Sequence, residues 1–188
     1  MTSIETTNVP NRAESRVLAI VPAYNEEESL VATIEELQRV APDIDYVVVN
    51  DGSRDGTLAL CKASGFNYVS HPTNLGLTAG VQTGMKYALR HGYEMAIQFD
   101  ADGQHDPAYI SSLVAKMDEA QADIVVGSRF VTEEKPKSLR MMGSNLISGM
   151  IKLTTGARIK DPTSGMRLYN KRAIQLFATQ DWTSPEPD

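Results

Sequence analysis

The sequence predicts an α/β fold built on a mainly parallel central sheet with helices on both faces. Three features carry that expectation: short apolar runs recur along the chain, helix-length amphipathic stretches separate them, and the runs are apolar on both alternating faces rather than on one. A chain of 188 residues, 41% hydrophobic and 22% charged, suits a single domain with a sizeable core. Residues 1–15 are polar and lack the apolar core and small-residue cleavage site of a signal peptide, so they are expected to form a disordered lead-in to one domain over 16–188.

Val17 to Val21 is a continuous apolar run and reads as the first strand. Pro22 and the acidic triplet Glu26, Glu27 and Glu28 then lead into a stretch with Leu30, Ile34 and Leu37 on one helical face. The acids are expected in its first turn, where the helix dipole favours them. Tyr46 to Val49 repeats the strand pattern, and Gly52, Ser53, Asp55 and Gly56 turn the chain into a short helix from about Thr57 to Ser64, closed by Gly65. Phe66 to Val69 reads as a third strand. A longer helix follows from about Thr78 to His91, ending at Gly92 and burying Val81, Met85, Ala88 and Leu89. Met95 to Phe99 is a fourth strand. Asp106 followed by Pro107 is an N-cap with proline at the first helical position, and Ile110, Leu113, Val114 and Met117 form the buried stripe behind it. Ile124 to Val126 is a fifth strand.

A lone cysteine, Cys61, excludes an internal disulfide framework and any multi-cysteine metal site, and it fits a reducing compartment. The longest apolar runs, such as Val17 to Pro22, fall far short of the roughly 20 residues that cross a bilayer. A net charge of −6 disfavours nucleic-acid binding by the molecule as a whole. That charge is unevenly spread: from Lys135 to Arg172 nine basic residues accompany one acid, Asp161. The segment reads as a surface that meets something anionic, or as a solvated face.

In parallel sheets ligands bind beyond the carboxyl ends of the strands, so the loops over 22–26, 50–56 and 100–104 are expected to converge on one crevice. The sharpest feature there is Asp100-Ala101-Asp102-Gly103-Gln104. Alternate residues of an extended chain share a side, so Asp100 and Asp102, with Gln104 behind them, can present hard oxygen ligands to one magnesium or manganese ion that also bridges phosphate oxygens. Two carboxylates that close repel unless a cation lies between them. Taken alone, the same residues also read as a polar turn with an N-cap. Of the histidines, His71 and His91 fall in a loop and at a helix end, and only His105 stands beside this motif.

The segments Val21-Pro22-Ala23-Tyr24-Asn25-Glu26 and Asn50-Asp51-Gly52-Ser53-Arg54-Asp55-Gly56-Thr57 follow the first two strands. They offer backbone groups, an aromatic face and a carboxylate to a flat heterocycle, although the same residue types serve turns and caps. Neither contains the glycine pattern of a P-loop or of a nicotinamide-binding turn.

Read in order, V-P-A-Y-N-E-E, N-D-G-S-R-D-G-T, Asn74-Leu75-Gly76-Leu77, D-A-D-G-Q-H, Gly127-Ser128-Arg129 and Asp161-Pro162-Thr163-Ser164-Gly165-Met166-Arg167 cover Arg16 to about Arg172. With these segments the chain resembles the nucleotide-sugar glycosyltransferases of family 2, of GT-A type, and within them the dolichyl-phosphate mannose synthase-like branch. The resemblance implies a Rossmann-like GT-A sandwich. It also implies transfer of a sugar from a nucleoside diphosphate sugar, with inversion and without a covalent sugar–enzyme intermediate. By the same resemblance Pro22, Ala23, Tyr24, Glu26, Gly76 and Ala101 surround the nucleotide sugar, and Asp51 faces the base. Asp100, Asp102 and Gln104 look like the metal and diphosphate site. Arg129, and less directly Arg167, look like contacts to the diphosphate or to an acceptor phosphate, a role that suits the fixed cationic fork. Asp161, the one acid of the basic segment, is the candidate base if the acceptor is a glycan. Where the family usually has two aspartates this chain has Asn50-Asp51, which leaves base preference open.

The expected partners are a nucleoside diphosphate sugar, Mg2+ or Mn2+, and a lipid phosphate of the polyprenyl type. A cytoplasmic protein would meet that lipid peripherally at the inner face of the cell membrane through 135–172, with Leu139, Met141, Met142, Leu146, Ile147, Met150 and Ile151 as an amphipathic face. A phosphate acceptor is already anionic and needs cations around it rather than a base, which agrees with the scarcity of acids in that segment. A glycan acceptor is the alternative within the class. Outside it stand a sugar-nucleotide pyrophosphorylase, which lacks its glycine-rich basic loop here, and a non-catalytic nucleotide-sugar sensor. Family members continue past the point reached by Trp182 to Asp188, so the chain is expected to be C-terminally incomplete.

Overall fold

The computed structural model describes residues 5–7, 16–103, 105–127 and 166–180. Along the chain come β1 (Glu5–Thr7), β2 (Val17–Ala23), α1 (Leu30–Val40), β3 (Asp45–Asn50), α2 (Thr57–Ala63), β4 (Tyr68–Ser70), α3 (Leu77–His91) and β5 (Met95–Gln98). A single 3-10 turn (Pro107–Tyr109), α4 (Ile110–Ala120), β6 (Ile124–Val126), β7 (Arg167–Asn170) and α5 (Lys171–Thr179) follow. The strands form one 7-stranded sheet in the order β1-β4-β3-β2-β5-β7-β6. β2 pairs in parallel with β3 and with β5, and β3 pairs in parallel with β4. β7 runs antiparallel between β5 and β6, and β1 runs antiparallel along β4, so β2 through β6 share one direction.

The alternation of side chains along β2 builds two cores. Val17, Ala19 and Val21 meet Leu30, Ile34 and Leu37 of α1, Cys61 of α2, and Ile110, Leu113 and Met117 of α4. Leu18 and Ile20, on the opposite face, meet Met85 and Ala88 of α3 and Ala173, Ile174 and Ala178 of α5. Helix α3 lies close on the sheet because Gly84 has no side chain: a Cβ there would sit 2.2 Å from Ile20 Cγ2. The α3 stripe read from the sequence is buried at Met85 and Ala88 and half-buried at Val81 and Leu89. Asp106 caps its turn as expected, its carboxylate accepting the Ala108 N–H at 2.9 Å, and α3 ends at Gly92 in the left-handed region with φ 76°.

Several local readings change. Within the stretch expected to be a disordered lead-in, Glu5–Thr7 is a strand paired antiparallel with β4. Helix α1 begins at Leu30, so Glu26–Glu28 precede its first turn; the Glu26 carbonyl accepts from the Ser29 and Leu30 N–H groups at 3.3 and 3.0 Å. Strand β7 and helix α5 add elements that the sequence pattern does not announce. Among the described residues no helix is long and apolar enough to cross a membrane.

Candidate functional site

Strands β2, β3 and β5 end at the same edge of the sheet, and the loops beyond them are sewn together. The Asp51 N–H donates to the Ala23 carbonyl at 2.9 Å. Asn25 donates its N–H to Ser53 Oγ at 3.0 Å and accepts the Arg54 N–H on Oδ1 at 2.9 Å. These two bonds accompany a left-handed backbone at Asn25, φ 57°, a conformation that asparagine tolerates better than most non-glycine residues. Glu26 donates its N–H to Thr57 Oγ1 at 2.9 Å, and Thr33 Oγ1 donates to the Ala101 carbonyl at 3.0 Å. The expected convergence is therefore present. Between the loops lies a cleft of about 280 Å³ lined by Asn25, Glu26, Glu27, Glu28, Ser29, Asp55 and Asp102. Burial alone would raise the Asp55 carboxyl, but hydrogen bonds from Thr57 and from the Glu27 N–H outweigh it and hold the group below its ordinary range.

Tyr24 stands 41% exposed at the mouth of the β2 loop, an aromatic face open to solvent, while Pro22 is half-buried and Ala23 buried. Glu26 is half-buried and accepts from Ser29 Oγ. Asp51 is drawn in between the loops. It is 4% exposed, and its carboxylate accepts from His71 Nδ1 at 2.6 Å, from the Leu75 N–H at 2.9 Å and from the Gly76 N–H at 2.8 Å. Those bonds brace the loop before α3 against the loop after β3. The Gly76 N–H is taken up by this brace, and Ala101 is buried with its carbonyl engaged, so neither offers a free backbone group at those atoms. Gly52 lets the two loops touch, since with φ +66° a Cβ would lie 2.2 Å from the Thr73 carbonyl carbon.

Asp100 and Asp102 do not lie in an extended strand as expected. β5 stops at Gln98, and the chain turns over Ala101 to Gly103, which has φ +74°. Asp100 accepts from Gln98 Nε2 at 3.0 Å on Oδ1, and its N–H donates to His105 Nδ1 at 2.9 Å. The exposed Asp102 borders the acidic cleft. Among the described residues no three His, Cys, Asp or Glu side chains gather closely enough to hold a metal ion by themselves. The donor set nevertheless fits Mg2+ or Mn2+, because such ions are held by one or two carboxylates together with water and phosphate oxygens. Asp100 and Asp102 are hard oxygen donors of that kind at a strand end.

Arg167 opens β7 opposite Gln98, which places it at the same end of the sheet as Asp100. It hydrogen-bonds Tyr169; burial pushes that phenol up, and Arg167 opposes the rise. Gln104, Arg129, Asp161 and the apolar set from Leu139 to Ile151 lie outside the described residues. The sequence reading passed over His71, Gln98 and the carboxylate of Glu27, which accepts from the Gly56 N–H. Gln98 carried a signal, being a polar residue in an otherwise apolar run; His71 carried none, since its partners are distant in the chain.

A family model described as glycosyl transferase family 2 matches residues 18–177. The polyprenol monophosphomannose synthase of Mycolicibacterium smegmatis is 32% identical over 87% of this chain and 65% of its own length. The undecaprenyl-phosphate mannosyltransferase of Micrococcus luteus is 34% identical over 88% of this chain and 72% of its own length. The chain thus spans less than two thirds of the first of these relatives. Among solved structures, glucosyl-3-phosphoglycerate synthase from Mycobacterium tuberculosis, in complex with Mn2+, UDP-glucose and phosphoglyceric acid, superposes with a TM-score of 0.64. At 17% identity, over 83% of this chain and 57% of that one, the likeness is one of fold.

Proposed function

Because this chain belongs to glycosyltransferase family 2, we propose that it moves a sugar from a nucleoside diphosphate sugar to a lipid phosphate of the polyprenyl type, with inversion at the anomeric carbon. Its fold is of the GT-A type. The observation that carries the proposal is the meeting of the Tyr24 loop with the Asp100–Asp102 turn at one end of the parallel strands, where α/β sheets bind ligands. The relatives' names supply the acceptor class.

In this reading Tyr24 offers its ring to the base, and Asp100 and Asp102 hold a divalent ion with the donor diphosphate. When bound, the ion supplies positive charge to the leaving diphosphate. The acceptor phosphate oxygen attacks the anomeric carbon from the face opposite the diphosphate. One carbon–oxygen bond forms as the other breaks, and the electron pair leaves on the diphosphate oxygen. No proton need be removed from a phosphate that is already ionised, so positioning and cations replace a general base. We assign the acceptor head group to Arg129 and the basic run over 135–172, with Arg167 at its edge, and place the reaction at the inner face of the cell membrane. Asp161 becomes the base only if the acceptor is a glycan hydroxyl.

Thermal stabilisation by a panel of nucleotide sugars, with Mn2+ and with chelator, tests the donor site. A metal-dependent shift that Asp102→Ala abolishes is expected; a shift equal in chelator overturns the metal assignment. Product analysis with a short-chain polyprenyl phosphate tests the acceptor. Free nucleoside diphosphate and a glycosylated lipid are expected, pyrophosphate would indicate nucleotidyl transfer, and tight binding without product would indicate a sensor.

A further inference from the structure

We propose that Gln98 and His105 are positioning residues that fix the Asp100 carboxylate for a diphosphate-bound divalent ion, a role that rests on the reading of Asp100 as a ligand. Gln98 ends the apolar strand β5 and is only 6% exposed. A buried amide is costly to leave unpaired, and here Nε2 donates to Asp100 Oδ1 at 3.0 Å. His105 closes the other side. Its side chain is 9% exposed, and Nδ1 accepts the Asp100 N–H at 2.9 Å. With that nitrogen accepting, the proton of the neutral ring sits on Nε2, which lies 3.4 Å from Asp100 Oδ2.

The imidazole is itself held, edge-on to Phe99 with ring centroids 5.5 Å apart and planes at 71°. The backbone donor and both side-chain oxygens of Asp100 thus each face a fixed partner. Yet the Asp100 side chain remains 31% exposed and, as a carboxylate with about four acceptor sites, keeps lone pairs for a further ligand. A carboxylate whose rotation is fixed before the ion arrives loses less freedom on binding, which is how outer partners commonly raise metal affinity. Asp102, two residues on, borders the open cleft.

The test follows Mn2+ binding to the full chain, with saturating UDP or GDP, through loss of the free-ion electron paramagnetic resonance signal. Gln98→Met and His105→Ala should weaken Mn2+ binding by about 10–100-fold with an unchanged far-UV circular dichroism spectrum. His105→Asn, whose Oδ1 can take the Asp100 N–H, should recover part of the loss. If Gln98→Met does not fold, Gln98→Asn, which keeps an amide but withdraws it from Oδ1, stands in its place under the same criterion. Unchanged Mn2+ affinity in the Gln98 and His105 variants, with a loss in Asp100→Ala, overturns the positioning role and leaves the ligand reading intact. Equal binding, or none, by the unaltered chain and Asp100→Ala overturns the ligand reading and this proposal with it.

Discussion

Replacing Asp51 by alanine and by asparagine separates a loop brace from a surface acid. Asp51 Oδ1 accepts from His71 Nδ1 and the Leu75 N–H, and Oδ2 accepts from the Gly76 N–H. Alanine removes all three acceptor bonds. The Gly76 N–H keeps a second acceptor in Asn74 Oδ1 at 2.9 Å, but the buried His71 and the Leu75 N–H lose the partner seen here. Leu75 is exposed, so water can take its N–H, and the orphaned buried donor is on His71; at about 1–3 kcal/mol for such a group, Asp51→Ala should lose about 2–3 kcal/mol. Asparagine can set its own Oδ1 where the aspartate's was, keeping His71 and Leu75, and turn its NH2 toward the one donor that has Asn74 in reserve. Its loss should be about 1 kcal/mol. Urea unfolding followed by far-UV circular dichroism reads both values from the midpoints at constant slope. Equal losses for the two variants, or an alanine loss near zero, would refute the reasoning.

Further outcomes follow from the same geometry. Gly84→Ala forces a Cβ to within 2.2 Å of Ile20 Cγ2 and should cost about 1–3 kcal/mol in urea unfolding, a cost that Ile20→Ala relieves in a double-mutant cycle. The Asp55 carboxyl is held below its ordinary value by its hydrogen bonds to Thr57 and Glu27, so its stabilising contribution is present above the ordinary aspartate range and is lost as pH falls through the depressed folded value. Acid unfolding of Asp55→Asn should accordingly be less steep below about pH 4 than that of the unaltered chain. Cys61 is buried and its thiol is pushed up to about 11 by that burial, so it should resist a thiol reagent at pH 8 in the native protein and react promptly in urea.

The sequence disclosed whatever is local. Apolar runs located β2, β3 and β5, Asp106-Pro107 placed the turn before α4, and Gly92 closed α3. β7 escaped notice because Arg167 and Asn170 make its ends polar while Leu168 and Tyr169 face opposite cores, leaving neither a run nor a clear alternation. The D-A-D-G-Q motif declared its oxygen chemistry but not its shape, since nothing in the spacing distinguishes an extended pair from a turn. Asp51 pointed inward for a reason no window could reveal: its partners are 20 to 25 residues away. The polar residues that organise the site were legible by type, and their pairings were not.

The place of β7 in the sheet bears on how the chain is made. β6 emerges from the ribosome first, yet among the described residues its sheet neighbour is β7, which also fills the edge of β5. Between the end of β6 and the start of β7 lie roughly 40 residues, a delay of about 2–8 s at ordinary elongation speeds. Through that interval β4, β3, β2 and β5 can already be paired in parallel, while Met95 to Gln98 presents an open strand edge next to the acidic turn. The nascent protein therefore carries that open edge with the turn bearing Asp100 already synthesised, and a stall in translation before Arg167 would prolong that exposure.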